Sequence, residues 1–183
     1  FAARLGVPRR GFDLDHYDVP ASLHERAIAL GARPVTAKDV VHRLRDSGLR
    51  VRQVERDAMA PVRRRQYLTS EWAGLGGALG LVHGESRHSA KVTEDWQILG
   101  ENLIARWNEP HRSYHDERHL EDVLLALNHL GVRGERVEVE TLLAAWFHDA
   151  VYAGKSDDEL NSAQLAVSSL EQFSLSSGLV QSV

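Results

Sequence analysis

Between residues 92 and 175 apolar side chains recur at helical spacing in successive segments, which limits this stretch to an all-α architecture. "EDWQILGENLIARW" places Trp96, Leu99, Leu103, Ile104 and Trp107 on one stripe, ended by Pro110. Ser113 is placed to cap a second helix, in which Leu120, Val123, Leu124 and Leu127 face a core until Gly131. "EVETLLAAWFHDAVY" gives a third, strongly apolar and aromatic. Ser156 and Glu159 form the pattern of a capping box for a fourth, with Leu160, Ala163, Val167 and Leu170 along one face.

The segment before it reads differently. Residues 1–66 carry 14 Lys+Arg against 8 Asp+Glu, whereas residues 67–183 carry 8 against 18. That asymmetry predicts two units joined through residues 67–91, with Pro61 and Arg63–Arg65 in the boundary zone. Ser22 with Glu25, and Thr36, are helix-start signals, while Gly31 and Gly48 are stop signals. "LRVRQV" alternates as a strand would, so residues 1–66 read as a small α/β unit. The expected class is therefore α+β overall, an all-α domain over 92–183 preceded by that unit. The opening on Phe1 and the ending "GLVQSV" read as cut ends of a longer chain.

The absence of cysteine excludes disulfides and thiolate metal sites, and is compatible with a reducing, cytoplasmic setting. Any metal must be held by histidine and carboxylate. No apolar run approaches the roughly 20 residues of a membrane span.

Two stretches offer such ligands. "DLDHYD" crowds Asp13, Asp15, His16 and Asp18 around Tyr17, but it lacks the glycine and distal glutamate of a calcium loop and reads as a polar loop. In "PHRSYHDERHL", His115 and His119 lie four apart, on one face of a helix. "WFHDAVY" then sets His148 and Asp149 at the polar end of an apolar helix, where burial is costly unless both are paired or metallated. Two packed helices can bring two imidazoles and a carboxylate onto one divalent ion. The plainer alternative is a pair of core histidines bonded to backbone.

Two resemblances attach to these residues. "FAARLGVPRRGFDLDHYDVP" followed by "GARPVTAKDVVHRLRDSGLRVR" resembles a bacterial family known only as a domain of unknown function, over about residues 1–66. The ordered motifs "PHRSYHDERHL", "WFHDAVY" and "SDDELNSAQLA" resemble a small bacterial branch of the HD superfamily of metal-dependent phosphohydrolases, over about residues 92–175. This second likeness implies that His119, His148 and Asp149 ligate a divalent ion, with Mn, Fe, Mg, Zn, Co and Ni equally open. It implies that His115, matching a histidine of cyclic nucleotide phosphodiesterases, donates a proton. The other reading of His115 is that it hydrogen-bonds Asp149 and orients it. Arg112, with His111 beside it, is placed to meet a phosphate, and Asp157 to orient a water. The superfamily's usual final ligand is a downstream aspartate, and none follows Asp158, so that ligand is expected to be cut off or absent.

The function implied is hydrolysis of a nucleotide or related small phosphate ester. The alternatives are a non-catalytic metal- or nucleotide-binding sensor, and a nucleic-acid-associated protein using the basic first unit. Interspersed Asp39, Asp46, Glu55 and Asp57 count against the last.

Overall fold

The structure is a computed structural model that describes residues 1–82 and 87–183. It is mainly helical, with one two-stranded antiparallel sheet among the described residues. The chain divides into two units, Phe1–Arg63 with Leu125–Arg136, and Arg64–Leu124 with Val137–Val183.

In the first unit, helices α1 (Ala2–Leu5) and α2 (His24–Ala29) flank a tight hairpin, β1 (Phe12–Asp13) and β2 (His16–Tyr17). Phe12 pairs with Tyr17 and Asp13 with His16. Leu5, Val7 and Ala27 form a small core covered by Tyr17, Leu23 and Leu30. The Asp15 side chain is wholly buried. It accepts from the Val51 N–H at 2.7 Å, from Arg50 at 3.0 Å and from His16 at 2.6 Å. Burial alone would raise its pKa, but these hydrogen bonds and the Arg50 charge outweigh it and hold the carboxyl below its ordinary value.

Helix α3 (Ala37–Asp46) starts as its sequence dictates. Thr36 caps the Asp39 N–H, and the Asp39 carboxylate returns to the Thr36 N–H in a reciprocal box. The Ser22–Glu25 pattern does not do this. A 3₁₀ turn, Ala21–Leu23, runs straight into α2, which has no side-chain cap. "LRVRQV" is not a strand either. Its Val51 N–H goes to Asp15 instead of a neighbouring strand, and Gln53–Glu55 is a 3₁₀ turn.

Helix α4 (Arg56–Ala78) is continuous through the arginine triplet, with Pro61 inside it. Residues 67–78 of the expected connection are therefore helical, and they bury Tyr67, Leu68, Trp72 and Leu75. Residues 83–86 of that connection lie outside the described residues.

The second unit contains the rest of α4, α5 (Arg87–Trp107), the first part of α6 (Glu117–Val132), α7 (Val139–Phe147), α8 (Asp158–Leu170) and α9 (Ser177–Ser182). Trp72, Trp96, Trp107 and Trp146 are all buried. Each indole removed from water contributes roughly 4–6 kcal/mol of transfer free energy. Trp72 and Trp96 stack at 4.1 Å, and each donates its indole N–H to the other's backbone carbonyl, at 2.7 and 3.0 Å. Two glycines permit that approach. A Cβ on Gly76 would lie 2.4 Å from Trp96 Nε1, and one on Gly100 would lie 2.2 Å from Trp72 Cδ1.

Two expected caps do not form in this unit. Asp116, not Ser113, accepts from the first turn of α6, at Arg118 and His119. Ser156 and Glu159 make no box, and α8 has no side-chain cap. The face of α8 is rotated too: Asp158, Ser162, Ala166 and Leu170 are buried, while Leu160 is 60% exposed and Val167 is exposed. The cause lies in the preceding loop. Asp158 accepts from the N–H groups of Ala153 and Lys155, and the Ser162 hydroxyl accepts from the Val151 N–H and donates to the Val151 carbonyl. Those polar groups must face inward, and they carry the helix face with them.

Candidate metal centre

The second unit gathers its chemistry where the segment before α6 meets the end of α7. The start of α6 is held in place by Arg64 of α4, whose Nε donates to Glu121 at 2.7 Å, with Glu117 3.6 Å from its Nη1. Asp116 caps the turn that carries His119. The last turn of α7 ends in His148, whose backbone N–H still bonds the Ala144 carbonyl, and Asp149 follows.

Four side chains converge. His115 Nδ1 lies 2.6 Å from Asp149 Oδ2. His148 Nε2 lies 3.2 Å from His119 Nε2 and 3.2 Å from Asp149 Oδ2. His115, His119 and Asp149 each offer a ligand atom within 4.8 Å of the others. The His148 tautomer is fixed from outside the group, because its Nδ1 lies 2.9 Å from the Ala145 carbonyl oxygen and must donate to it. Neutral His148 therefore points a lone pair at another imidazole nitrogen and a carboxylate oxygen. A proton shared among these atoms or a cation between them satisfies that arrangement. Burial, then electrostatic interaction with the imidazoles of His148 and His115, push the His119 pKa below its ordinary value, against the pull of Asp149 and Asp122. The donor set of imidazole nitrogens and one carboxylate thus fits a divalent ion.

The other expected site residues fall in different places. Arg112 is not open to a phosphate, because its side chain is fully buried. Its Nη1 donates to the carbonyls of His115 at 2.9 Å and Asp149 at 2.8 Å. Nη2 donates to the Ala150 carbonyl at 3.2 Å, and Nε to Glu109 at 3.2 Å. The guanidinium sits 5.4 Å from both the Trp107 and Tyr152 ring centroids. It is a clamp on the backbone of two candidate site residues. His111 bonds the Tyr152 carbonyl at 2.5 Å and stacks on the Tyr152 ring, leaving its side chain half exposed. Asp157 is exposed, and no hydrogen bond or ion pair among the described residues ties it to the cluster. Its neighbour Asp158 turns inward in its place.

Two aromatic residues of the site escaped the sequence reading. Trp107 lies beneath His148 and His119, at 5.2 and 6.2 Å between ring centroids. Tyr152 packs against His115 at 4.9 Å. Trp107 carried only a core signal, and Tyr152's signal was its place four residues after His148. Tyr114, 70% exposed, lies 5.1 Å from His115 at the rim.

Asp13, His16 and Asp18 of the first unit also cluster. There Arg56 already pairs with Asp13, and His16 Nδ1 is engaged by Asp15.

Comparison with known proteins reaches the first unit only. The profile of a family described as "Protein of unknown function (DUF4031)" matches residues 1–47. No curated protein and no solved structure matches the chain. No helix among the described residues is long and apolar enough to cross a membrane.

Proposed function

We propose that the second unit is an HD-type, metal-dependent phosphohydrolase acting in the cytoplasm on a nucleotide or related small phosphate ester. The observation that carries this reading is the convergence of His115, His119, His148 and Asp149 from two separate segments, with the His148 lone pair aimed into the group. The motif likeness over residues 92–175 supplies the reaction class by analogy.

His119, His148 and Asp149 would hold the ion. When bound, a divalent cation supplies Lewis acidity toward a phosphoryl oxygen and a water of lowered pKa. Asp149 holds His115 through Nδ1, which leaves Nε2 as the atom that carries a proton to the leaving oxygen. Arg112 contributes by fixing the backbone of His115 and Asp149 and makes no contact with substrate. Trp107 packs on one side of His148 and Tyr152 on one side of His115, and both imidazoles keep about a third of their surface open to solvent, where a substrate can reach them.

Elemental analysis of the purified protein, followed by a phosphate-release screen over nucleotides and simple phosphate esters, tests the reading. Near-stoichiometric divalent metal is expected, lost on His148→Ala or Asp149→Ala, together with release from at least one substrate. Equal metal content in wild type and both variants would sink the ligand assignment. Intact metal binding with no turnover across the panel would favour a sensor over an enzyme.

A further inference from the structure

The first unit carries an arginine-lined concavity that no part of the proposed chemistry uses. Arg45, Gly48, Arg50, Arg52 and Glu55 line a space of about 210 Å³. We propose that it binds a phosphate group, with Arg45, Arg50 and Arg52 as the recognising residues.

Two of the three guanidinium groups are pre-oriented. Arg50 Nη1 is held by the wholly buried Asp15 carboxylate at 3.0 Å. Arg52 is held by Glu55, with Nε at 2.9 Å and Nη2 at 2.5 Å from Oε1. Fixing the forks in advance lowers the entropy lost when an anion arrives. The carboxylates that do this holding each accept three hydrogen bonds. Asp15 also accepts from the Val51 N–H and from His16, and Glu55 Oε2 accepts from the Arg52 N–H.

Donors are left over. Arg50 Nε and Nη2 and Arg52 Nη1 have no hydrogen-bond partner among the described residues. The Arg45 guanidinium, exposed in the last turn of α3, has none at all among them. Gly48, with φ +70°, turns the chain from α3 toward Arg50, and a Cβ there would meet nothing within 4 Å, so the opening stays clear.

Planar guanidinium forks match the oxygens of a phosphate. The volume falls below the roughly 300–1,000 Å³ of a small-molecule pocket. It therefore accommodates a phosphate group and not a whole nucleotide. That group can come as free phosphate or as one link of a nucleic-acid backbone, and the experiment separates these sources.

The full chain is titrated with inorganic phosphate at constant low ionic strength, following backbone amide shifts, with acetate as the control anion. A short single-stranded oligonucleotide is titrated in parallel. Saturable phosphate shifts centred on residues 45–55 are expected, with little response to acetate. Arg45→Gln and Arg52→Lys should each weaken them roughly tenfold, the scale of one charge-assisted hydrogen bond. Arg45 is exposed, so its variant keeps the fold and leaves metal content at wild-type level. Oligonucleotide binding whose salt slope drops by about one in Arg45→Gln assigns the site to a nucleic-acid backbone. Binding of phosphate alone assigns it to a small anion. Shifts that do not saturate, or that are unchanged in both variants, overturn the proposal.

Discussion

His115 and Asp149 stand 34 positions apart and meet with Nδ1 2.6 Å from Oδ2, while a single nitrogen of Arg112 bonds the backbone carbonyls of both. The segment entering α6 and the segment leaving α7 are thereby tied twice, once through side chains and once through main chain. This relationship separates the roles of the residues around it.

On the proposed reading, His115→Ala removes a proton donor and leaves metal content at the wild-type level. Its Nδ1 is spent on Asp149, so its loss falls on proton transfer at Nε2. On substrates with poor leaving groups kcat should drop about 10²–10⁴-fold at saturating metal. Nitrophenyl esters, which need little protonation, should lose far less. Equal losses on both substrate types would assign His115 to orientation, and loss of the metal would make it a ligand.

Arg112→Ala should act on stability before it acts on substrate affinity. Its guanidinium satisfies the carbonyls of His115, Asp149 and Ala150, and each one orphaned costs about 1–3 kcal/mol. The urea midpoint should fall markedly, and metal affinity should fall about 10–100-fold, as for other supporting groups around a metal. A raised KM with unchanged stability and metal affinity would restore Arg112 to phosphate binding.

Gly100→Ala and Gly76→Ala should destabilise, although alanine is the better helix former. A Cβ at either position collides with an indole that stacking and a hydrogen bond hold in place. The net cost should be about 1–3 kcal/mol. Gly74→Ala, on the same helix as Gly76 and with nothing within 4 Å of its Cβ, should instead stabilise by up to about 1 kcal/mol. Thermal unfolding of the three variants is the check, and a shared direction of change would refute the close-packing account.

Asp15 predicts how the first unit responds to acid. Its carboxyl is held below the ordinary 3.8, so its contribution is complete above that value and is lost as pH falls through the lower folded value. The first unit should therefore lose stability below about pH 4, and Asp15→Asn should flatten that dependence while lowering stability at neutral pH. Hydrogen exchange at the Val51 amide, which bonds Asp15 directly, reports the unit locally. An unchanged acid profile in the variant would show that other carboxylates dominate.

Much of this protein was legible where the rules are local. Of the stripe Trp96, Leu99, Leu103, Ile104 and Trp107 on α5, all but the half-buried Leu99 are buried, and Thr36 caps α3 with Asp39 as its reciprocal partner. The spacing of His115 and His119, and the doublet His148–Asp149, marked the residues that converge. Such signals depend on side chains within a turn or two of one another, so sequence order alone carries them.

Tertiary structure decided whatever depended on a distant partner. Which face α8 buries was set by the N–H groups of residues 151–155, which call Asp158 and Ser162 inward and leave Leu160 outside. "LRVRQV" alternates correctly, yet the Asp15 carboxylate captures the Val51 N–H before any strand can pair with it. Arg112 reads in sequence as a free cation beside a catalytic motif. Only the packing of Trp107 and Tyr152 around it, with carbonyl oxygens from three other residues within reach, turns that cation into a buried clamp, because a charge removed from water must find its hydrogen bonds inside the protein.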